Sequence, residues 1–385
     1  MEIYGFIFSL IELIVFGVLL LTFIYQLYFY FRYLSGVLHL RTKIKNNKAS
    51  FENEQPPVSV IICSKDEAEN LRKFLPLILN QEYPAFEVIV INDGSTDATD
   101  TLLRDLSVEY PNLKSTFVPL GANNLSTKKL GLTLGIKASQ YDILLFTDAD
   151  CMPENKTWIA RMARNFTRET DFVLGYGAYF EKKGFLNRLI TYDTLFIALQ
   201  YMGMAASRKP YMGVGRNLAY RKATFFSQKG FASTLGLSSG DDDLMVNKAC
   251  TPWNTRIEIA PDSITWSEPN TTYKGWLFQK QRHLSASAFY KSSSKIRLFF
   301  EPFTRGFFYL TFILALIFGG PITQIATGVL FISRLAIQLS IINASSKHFG
   351  GRKYLLTLPV FDIFIPLVNL YIMLFGKKGK SVKWK

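Results

Sequence analysis

The stretch LLFTDADCMP, residues 144–153, leads an apolar run directly into two acids, Asp148 and Asp150, separated by one alanine. Carboxylates are rarely buried without a partner, so a cation or water has to reach this part of the chain. Mg²⁺ and Mn²⁺ prefer oxygen ligands and commonly take one or two carboxylates together with substrate phosphates. The spacing therefore predicts a Mg²⁺ or Mn²⁺ site that also holds a diphosphate, whose negative charge the ion neutralises.

The run Asp241-Asp242-Asp243, within LGLSSGDDDLMVNKA (235–249), is a second group of acids. Three adjacent acids repel one another, so one of them can have a raised pKa and serve as a general base. The alternative interpretation is a solvated acidic surface, or an acidic first helical turn that favours the helix dipole.

The segment YKGWLFQKQRHLSAS, residues 273–287, is amphipathic and carries Gln279, Arg282 and His283. By itself this pattern is typical of a helix that lies at a membrane interface. Arg282 is also suited to bind a phosphate through two parallel hydrogen bonds. The two interpretations are compatible, because apolar runs follow the segment directly.

Short apolar runs rich in β-branched residues alternate with helical segments upstream, and these elements must position the acids. The predicted strands span residues 58–64, 86–93, 114–120 and 142–148. Helices are predicted over residues 65–81 and 126–139, and a turn followed by a helix over residues 94–107. Ser95 or Thr96 is the expected cap of the second helix, and Ser126 that of the third. This alternation predicts an α/β domain with a Rossmann-like, mostly parallel sheet.

Ligands of such sheets bind beyond the carboxyl ends of the strands. Three of the predicted strand ends carry polar groups, namely Ser64 to Glu67, Asp93, and the pair Asp148 and Asp150. All three ends are therefore expected to face one crevice. The alternative is that each acid only caps the helix or turn that follows it.

Residues 3–31 contain a single charge, Glu12, and form a run longer than the roughly 20 apolar residues that a membrane-spanning helix needs. A signal peptide is the competing interpretation, but no basic start or small-residue cleavage site is evident. Three further apolar runs cover residues 306–320, 323–343 and 355–375.

The last two of these runs contain residues that are unusual in a membrane span. Arg334 lies within the second run, and the third contains Pro359, Asp362 and Pro366. Such residues are tolerated at membrane depth where the backbone is broken or buried in protein. We therefore expect two crossings followed by a re-entrant or interfacial last segment with a broken, hairpin-like helix.

The formal net charge of +14 is concentrated beside the apolar runs, at residues 41–48, 347–353 and 377–385. Basic flanks mark the cytoplasmic side of a membrane and meet anionic lipid head groups, so the central domain and the tail are expected to be cytoplasmic. Nucleic-acid binding is not expected, because no recognition motif accompanies the charge. The three cysteines lack paired or metal-type spacing, which fits a reducing compartment without disulfides.

These patterns divide the chain into six segments. They are an N-terminal transmembrane helix (1–35), a basic juxtamembrane linker (36–55), a catalytic domain (56–270), an amphipathic interfacial helix (271–300), transmembrane or re-entrant segments (301–376) and a basic tail (377–385).

From about residue 56 to residue 290, the order of these motifs resembles glycosyltransferase family 2, the inverting and membrane-linked transferases that use nucleotide sugars. VSVIICSKDEAENL resembles the opening strand of the family, and STKKLGLTLGIKA its lysine-containing helix. The pair Asp148 and Asp150 matches the D-x-D site, GDDDLM stands where the family has its catalytic base, and QKQRH stands where it has Gln-x-x-Arg-Trp. MGVGRNLAYRK (212–222) resembles the glycine-rich acceptor-side segment.

The resemblance implies roles for individual residues. Nucleotide-sugar contacts are implied for Ser64, Glu67, Asp93, Lys128, Asp148 and Arg282, and acceptor-side contacts for Gln279 and His283. Asp150, with Asp148, would hold Mg²⁺ or Mn²⁺. Asp242 is the implied base if Gly-Asp-Asp replaces Gly-Glu-Asp, and Asp241 is the base in the other register.

Two positions depart from the family pattern, since Thr133 replaces the usual Asn and His283 the usual Trp. The resemblance implies an enzyme of glycosyltransferase A-type fold that transfers a sugar from a nucleotide-diphosphate sugar, with UDP-sugars expected first. The acceptor would be a lipid or glycan at the cytoplasmic face of a bacterial inner membrane. The alternatives are a processive polysaccharide synthase that threads its product across the membrane, and a catalytically silent nucleotide-binding membrane scaffold.

Overall fold

The computed structural model describes residues 2–3, 6–7, 9–119, 127–237 and 239–375. The expected cap Ser126 and the basic tail 377–385 lie outside the described residues. The strands are β1 (Glu2–Ile3), β2 (Phe6–Ile7), β3 (Val58–Ser64), β4 (Phe86–Asn92), β5 (Leu113–Phe117), β6 (Ile143–Phe146), β7 (Cys151–Pro153), β8 (Phe172–Leu174), β9 (Gly177–Tyr179), β10 (Leu218–Arg221), β11 (Thr255–Ile257) and β12 (Thr265–Ser267).

The α-helices range from six to 28 residues. They are α1 (Leu10–Phe29), α2 (Gly36–Lys45), α3 (Ala68–Leu79), α4 (Thr99–Glu109), α5 (Thr127–Ala138), α6 (Trp158–Ala163), α7 (Phe185–Ala206), α8 (Lys222–Ser227), α9 (Asp243–Ala249), α10 (Tyr273–Ser287), α11 (Ser292–Phe318), α12 (Pro321–His348) and α13 (Leu358–Phe375). A π-helical turn, Tyr30–Leu34, continues α1, and 3₁₀ turns cover Gly215–Asn217 and Pro261–Ser263.

A seven-stranded sheet in the order β11-β8-β10-β6-β3-β4-β5 forms the centre of the catalytic domain. Strands β6, β3, β4 and β5 are parallel neighbours, and β10 is antiparallel to both β6 and β8. The predicted α/β class with a mostly parallel sheet is thus confirmed. A second sheet, β7-β12-β9, was not anticipated from the sequence.

Strand β3 is buried along its whole length because helices cover both faces of the sheet. On one face Val60 and Ile62 pack in the same cluster as Leu71 of α3. On the other face Ile61 packs in the same cluster as Leu132 of α5. Because side chains alternate along a strand, this one apolar run contributes residues to two separate cores.

One local expectation was wrong in detail, since helix α4 begins at Thr99 and Ser95 and Thr96 therefore do not cap it. The segment 36–55, expected to be a basic juxtamembrane linker, begins with helix α2. The segment 271–300, expected to be an amphipathic interfacial helix, contains α10 and the start of α11, with four residues between the two helices.

Within the part of the chain that the structure describes, four helical segments are long and apolar enough to cross a membrane. They are Leu10–Leu34, Ser292–Phe318, Pro321–His348 and Leu358–Phe375. Helix α1 packs against α11 and α12. By length and composition, these segments are consistent with an integral membrane protein. The last of them, α13, is continuous through Pro366, so the expectation of a broken, hairpin-like helix was wrong.

A buried polar network joins the membrane helices and explains the charges within them. Asp362 accepts hydrogen bonds from four side chains: Arg305 (3.0 Å), Tyr309 (2.6 Å), Arg334 (2.8 Å) and Gln338 (2.7 Å). Arg334 also donates to Gln26 of α1 at 3.1 Å. Acidic and basic groups thus neutralise one another inside the protein, so Asp362 needs no break in its helix.

Helix α7 attaches the catalytic domain to the first membrane helix. A Cβ atom at Gly203 would lie 1.7 Å from the carbonyl oxygen of Tyr33, so only glycine permits this approach. Just beyond α7, the Ser207 hydroxyl donates to the carbonyl of Arg32 at 2.7 Å. The catalytic domain is therefore fixed at one end of the first span.

Candidate active site

The carboxyl ends of β6, β3 and β4 lie side by side, so the predicted polar strand ends meet at one edge of the sheet. Ser64 is buried at the end of β3, where its hydroxyl donates to the carbonyl of Ile91. Asp93 directly follows β4 and accepts a hydrogen bond from the Thr127 hydroxyl at 2.7 Å. Burial raises the pKa of Asp93, against the effects of Thr127 and Lys65.

The loops after β3 and β4 are tied together by side-chain hydrogen bonds. Asp66, in a left-handed conformation with φ 53°, accepts from the Thr96 amide at 2.6 Å, and its own amide donates to Ser95 Oγ. Asp97 accepts from the Ala68 amide at the start of α3. The residues expected to cap α4 therefore shape this edge of the site instead. Glu67, in the same loop, accepts a hydrogen bond from Asn70.

Asp148, Asp150 and Cys151 place one potential ligand atom each within 4.8 Å of one another. Burial, and then the nearby charge of Asp148, raise the pKa of Asp150 to about 6. Two carboxylates held this close favour a divalent cation, so the donor set fits Mg²⁺ or Mn²⁺. Burial raises the pKa of the Cys151 thiol, and a neutral thiol is a poor ligand for a hard ion.

Lys128, in the first turn of α5, connects the two acidic motifs. Its ammonium lies 3.1 Å from Asp148 Oδ1 and 3.3 Å from Asp241 Oδ2. Burial opposes its charge, but Asp148 and Asp241 together hold its pKa well above the ordinary value. The D-x-D loop (Asp148 to Asp150) and the acid triplet (Asp241 to Asp243), which are far apart in the chain, therefore share one cleft.

The three acids of the triplet have different environments. Although burial opposes ionisation, Lys128 holds the pKa of Asp241 below its usual range. Asp242 accepts from the amides of Gly215 (2.6 Å) and Asp243 (2.8 Å), while burial and then Asp241 raise its pKa. Asp243 is buried and accepts from the Tyr290 hydroxyl at 2.7 Å.

A cleft of about 340 Å³ of empty space opens between these groups. Its polar lining comes from Lys128, Thr147, Asp148, Asp241 and Asp242, and the apolar walls include Ile61 and Leu132. One reacting centre in this cleft could face both the D-x-D loop and the triplet.

The three residues predicted on α10 are placed differently from one another. Gln279 is half-buried, and its side chain accepts from Asn270 and donates to the Tyr179 hydroxyl at 2.7 Å. The carbonyl of Arg282 accepts from Ser239, beside the acid triplet, and His283 is exposed. None of the three lines the cleft described above.

The structure also reveals site residues that the sequence patterns did not single out. Arg216 donates to the carbonyls of Gly177 and Ala178 and stacks on the ring of Tyr179 at 4.1 Å. Its only sequence signal was its place in the glycine-rich segment 212–222.

Lys129 is a second residue that sequence patterns missed. It is fully buried, and its ammonium donates to the carbonyls of Thr234, Leu237 and Ser239. It thereby fixes the loop that precedes the acid triplet. No local pattern distinguishes it from its neighbour Lys128.

Comparison with known proteins agrees with this geometry. Residues 59–229 match the family described as Glycosyl transferase family 2. "Probable glycosyltransferase YdaM" of Bacillus subtilis (strain 168) is 26% identical over 314 residues, covering 77% of this chain and 73% of that protein. Glycosyltransferase AglE of Haloferax volcanii is 36% identical over 108 residues, covering 28% of this chain and 34% of that protein.

A solved structure with a similar fold is the mannosyltransferase PcManGT from Pyrobaculum calidifontis in complex with GDP-Man and Mn²⁺. It has a TM-score of 0.59 at 16% identity, and the match covers 96% of this chain and 100% of that chain. The segment matched by the family contains Asp93, Lys128, Asp148 and Asp150, and it ends before the acid triplet. Residues 59–229 therefore form a domain that matches glycosyl transferase family 2, and the chain is a transferase with a glycosyltransferase A-type fold.

Proposed function

We propose that this protein transfers a sugar from a nucleotide-diphosphate sugar to a hydroxyl group of a lipid or glycan acceptor, with inversion at the anomeric carbon. The observation that carries the proposal is the position of Lys128 between Asp148 and Asp241. It brings the acids expected to bind the donor and those expected to serve the acceptor into one cleft. An inverting displacement requires this arrangement, because the acceptor attacks opposite the leaving diphosphate.

Asp242 is the proposed general base. Two backbone amides orient its carboxylate, and its raised pKa favours proton uptake, whereas the ion pair with Lys128 makes Asp241 the weaker base. The carboxylate takes the proton of the acceptor hydroxyl, whose oxygen forms the bond to the anomeric carbon. The bond between that carbon and the diphosphate oxygen breaks at the same time, and the nucleotide diphosphate leaves with the electron pair.

Asp150 and Asp148 would hold a divalent ion on the donor side, and the Mn²⁺ bound to the structurally similar mannosyltransferase supports this assignment. When bound, Mg²⁺ or Mn²⁺ would stabilise the negative charge of the departing diphosphate. We assign recognition of the nucleotide to Asp93, with Ser64 and Glu67 from the neighbouring strand end.

The acceptor is proposed to approach from α10, which carries Gln279, Arg282 and His283 and directly precedes the membrane helix α11. This placement favours a membrane-borne acceptor. We propose that the catalytic domain is cytoplasmic, because basic residues flank the first span on the side of that domain.

A donor panel tests the proposal. Purified full-length protein in detergent is incubated with nucleotide sugars, UDP-sugars first, together with Mn²⁺ and a membrane lipid extract, and released nucleotide diphosphate is measured. We expect release with one class of donor. Failure of every nucleotide sugar to bind or to turn over would contradict the proposed function.

The Asp242→Asn variant tests the assignment of the base. Its donor affinity should remain near that of the wild type, while turnover falls about 100-fold or more, because a general base acts in the transition state. Asp105→Asn, an exposed acid on α4, is the matched control and should keep full turnover. If Asp241→Asn alone shows this separation, Asp241 is the base instead.

A further inference from the structure

Four segments without a single acid lie at the junction of the membrane helices and the catalytic domain. Residues 29–48, 206–211, 249–255 and 288–298 together contain ten Lys or Arg and no Asp or Glu. These ten positive charges compare with a formal net charge of +14 for the whole chain. The charged residues of these four segments therefore all have the same sign.

Specific contacts bring the first two segments together. Arg32, near the end of the first span, donates from Nη2 to the carbonyl of Ser207, and Ser207 donates back to the carbonyl of Arg32. The contact between Gly203 and Tyr33 fixes the same two elements one turn earlier. Arg208 and Lys209 therefore emerge at the level where the chain leaves the first span.

The other two segments meet beside them. The amide of Lys291 donates to Asn247 of α9 at 2.8 Å, just before the loop that begins at Cys250. Burial raises the pKa of the Cys250 thiol to about 11, against the positive charges of Lys291 and Arg297. Because α11 packs along α1, these bases lie at the same membrane level as Arg32.

An exposed aromatic residue lies against one base of this surface. Trp253 is 66% exposed, and the guanidinium carbon of Arg208 lies 3.6 Å from its ring centroid. Arg208 holds a left-handed backbone conformation, φ 61°, and its amide donates to the carbonyl of Ala205 at 2.9 Å. The strained backbone conformation therefore occurs at Arg208, the residue that stacks on Trp253.

We propose that this juxtamembrane platform, formed by Arg32, Arg208, Lys209, Trp253, Lys291 and Arg297, docks onto the anionic phospholipid head groups of the bilayer surface. An indole ring is suited to the boundary between head groups and acyl chains. A guanidinium stacked on that ring keeps its donors free to contact a phosphate in the plane of the group. The platform would fix the height of the catalytic domain above the membrane, independently of the reaction proposed above.

Fluorescence quenching in bilayers tests the docking. Full-length protein is reconstituted into nanodiscs whose brominated lipid is either phosphatidylglycerol or phosphatidylcholine, at the same bromine content and the same overall lipid composition. The chain has five Trp, so the difference between wild type and Trp253→Phe isolates the signal of Trp253. We expect this difference to be severalfold larger with brominated phosphatidylglycerol.

Charge variants test whether the basic residues cause the stronger quenching of Trp253 by brominated phosphatidylglycerol. Arg208→Gln/Lys209→Gln should abolish most of it, since each base near a membrane surface contributes about a fivefold effect. Lys209→Gln/Lys291→Gln, which keeps the stacked pair, should weaken it. Arg72→Gln/Lys137→Gln removes one exposed Arg and one exposed Lys from α3 and α5 and should leave the preference unchanged.

Three results would overturn the docking proposal. Equal quenching by the two brominated lipids would show that the surface does not select anionic head groups. Quenching that is the same in wild type and Trp253→Phe would place Trp253 outside the head-group region. A change of oligomeric mass in Trp253→Phe, without lipid preference, would identify a second copy of the chain as the occupant. The quenching measurement needs no sugar donor and no turnover. It therefore remains a valid test of docking even if the protein does not catalyse the proposed reaction.

Discussion

At the scale of the residue, Lys128 is the group on which the candidate site depends most. The sequence indicated that Asp148 and Asp150 lie at the same sheet edge as Asp93, because parallel strand ends meet there. It could not indicate the ion pair between Lys128 and Asp241, since nothing in the spacing of the two segments relates them. Contacts of this kind depend on how α5 and the acid triplet pack.

Replacing Lys128 with methionine would leave Asp148 and Asp241 close together without their shared cation. We expect donor-dependent turnover to be lost and the free energy of unfolding to fall by about 2 kcal/mol, less than for a fully buried pair because Asp148 is 35% exposed. Added Mn²⁺ should restore part of the melting temperature. Lys137→Met, an exposed position on the same helix, is the control, and an equal loss there would contradict the assignment.

At the scale of the element, the short helix α9 links the acid triplet to the membrane helices. Asp243 accepts from Tyr290, and Asn247 accepts from the Lys291 amide and donates to Ser294 at 3.3 Å. These bonds fasten both ends of α9 to the turn between α10 and α11. The position of Asp242, which precedes α9, therefore depends on where the membrane helix begins.

Asp243 should make the stability of the protein depend on pH. Burial, and then Asp242, raise its pKa to about 8 from an ordinary 3.8, against the hydrogen bond from Tyr290. The folded protein therefore keeps a proton that the unfolded chain loses, so stability falls as the pH rises from about 4 to about 8. We expect the melting temperature of Asp243→Asn to vary less over this range than that of the wild type.

The charges of Asp241 and Asp242 also act on the Asp243 carboxyl group. The variants compared for pH dependence therefore keep both of these acids. Asp105→Asn is the matched control and should show the wild-type pH dependence. If the melting temperatures of wild type and Asp243→Asn change with pH by the same amount, the raised pKa of Asp243 is contradicted. The asparagine amide can donate where the protonated acid would, so the variant should fold at pH 5.

The elements differ in how far the sequence predicted them, and burial explains the difference. Strand β3 has the predicted bounds 58–64, because a run buried on both faces has no competing pattern. The three-residue strands β7, β9 and β12 are too short to show alternation. The caps failed at Ser95 and Thr96 because bonds to Asp66, from the neighbouring strand end, replaced the local ones.

At the scale of the whole molecule, the buried network around Asp362 holds the membrane helices together. Replacing Asp362 with asparagine would leave Arg305 and Arg334 without a shared counter-charge, which costs about 3–5 kcal/mol for buried pairs. We expect a large drop of the melting temperature in detergent at a fixed scan rate. Glu301→Gln should cost less, because Arg305 would keep Asp362. An unchanged melting temperature in Asp362→Asn would show that the network contributes little to stability.

Whether α13 crosses the membrane determines the topology of the C-terminal part of the protein. Its 18 residues span about 27 Å, close to the roughly 30 Å of a hydrocarbon core, so its length alone permits a crossing. However, α13 packs against α7 and α10, and Phe361 lies 5.3 Å from the ring of Tyr192 in α7. The start of α13 is also held by α11 and α12, through the bonds of Asp362 to Arg305 and Arg334. We infer from the contacts with α7 and α10 that the chain end lies on the side of the catalytic domain.

We therefore predict that cysteines introduced at positions 45, 350 and 383 all lie on the side of the catalytic domain. The loop at 350 is fixed there, since His348 Nε2 lies 2.9 Å from the Ile259 carbonyl and Arg352 pairs with Glu181. The measurement is labelling of intact cells with a membrane-impermeant thiol reagent, in a chain whose own Cys63, Cys151 and Cys250 are replaced by serine or alanine. All three positions should react only after the cells are permeabilised, because basic flanks are retained inside. Labelling of position 383 alone in intact cells would mean that α13 crosses the membrane, and labelling of position 45 would reverse the orientation of the whole protein.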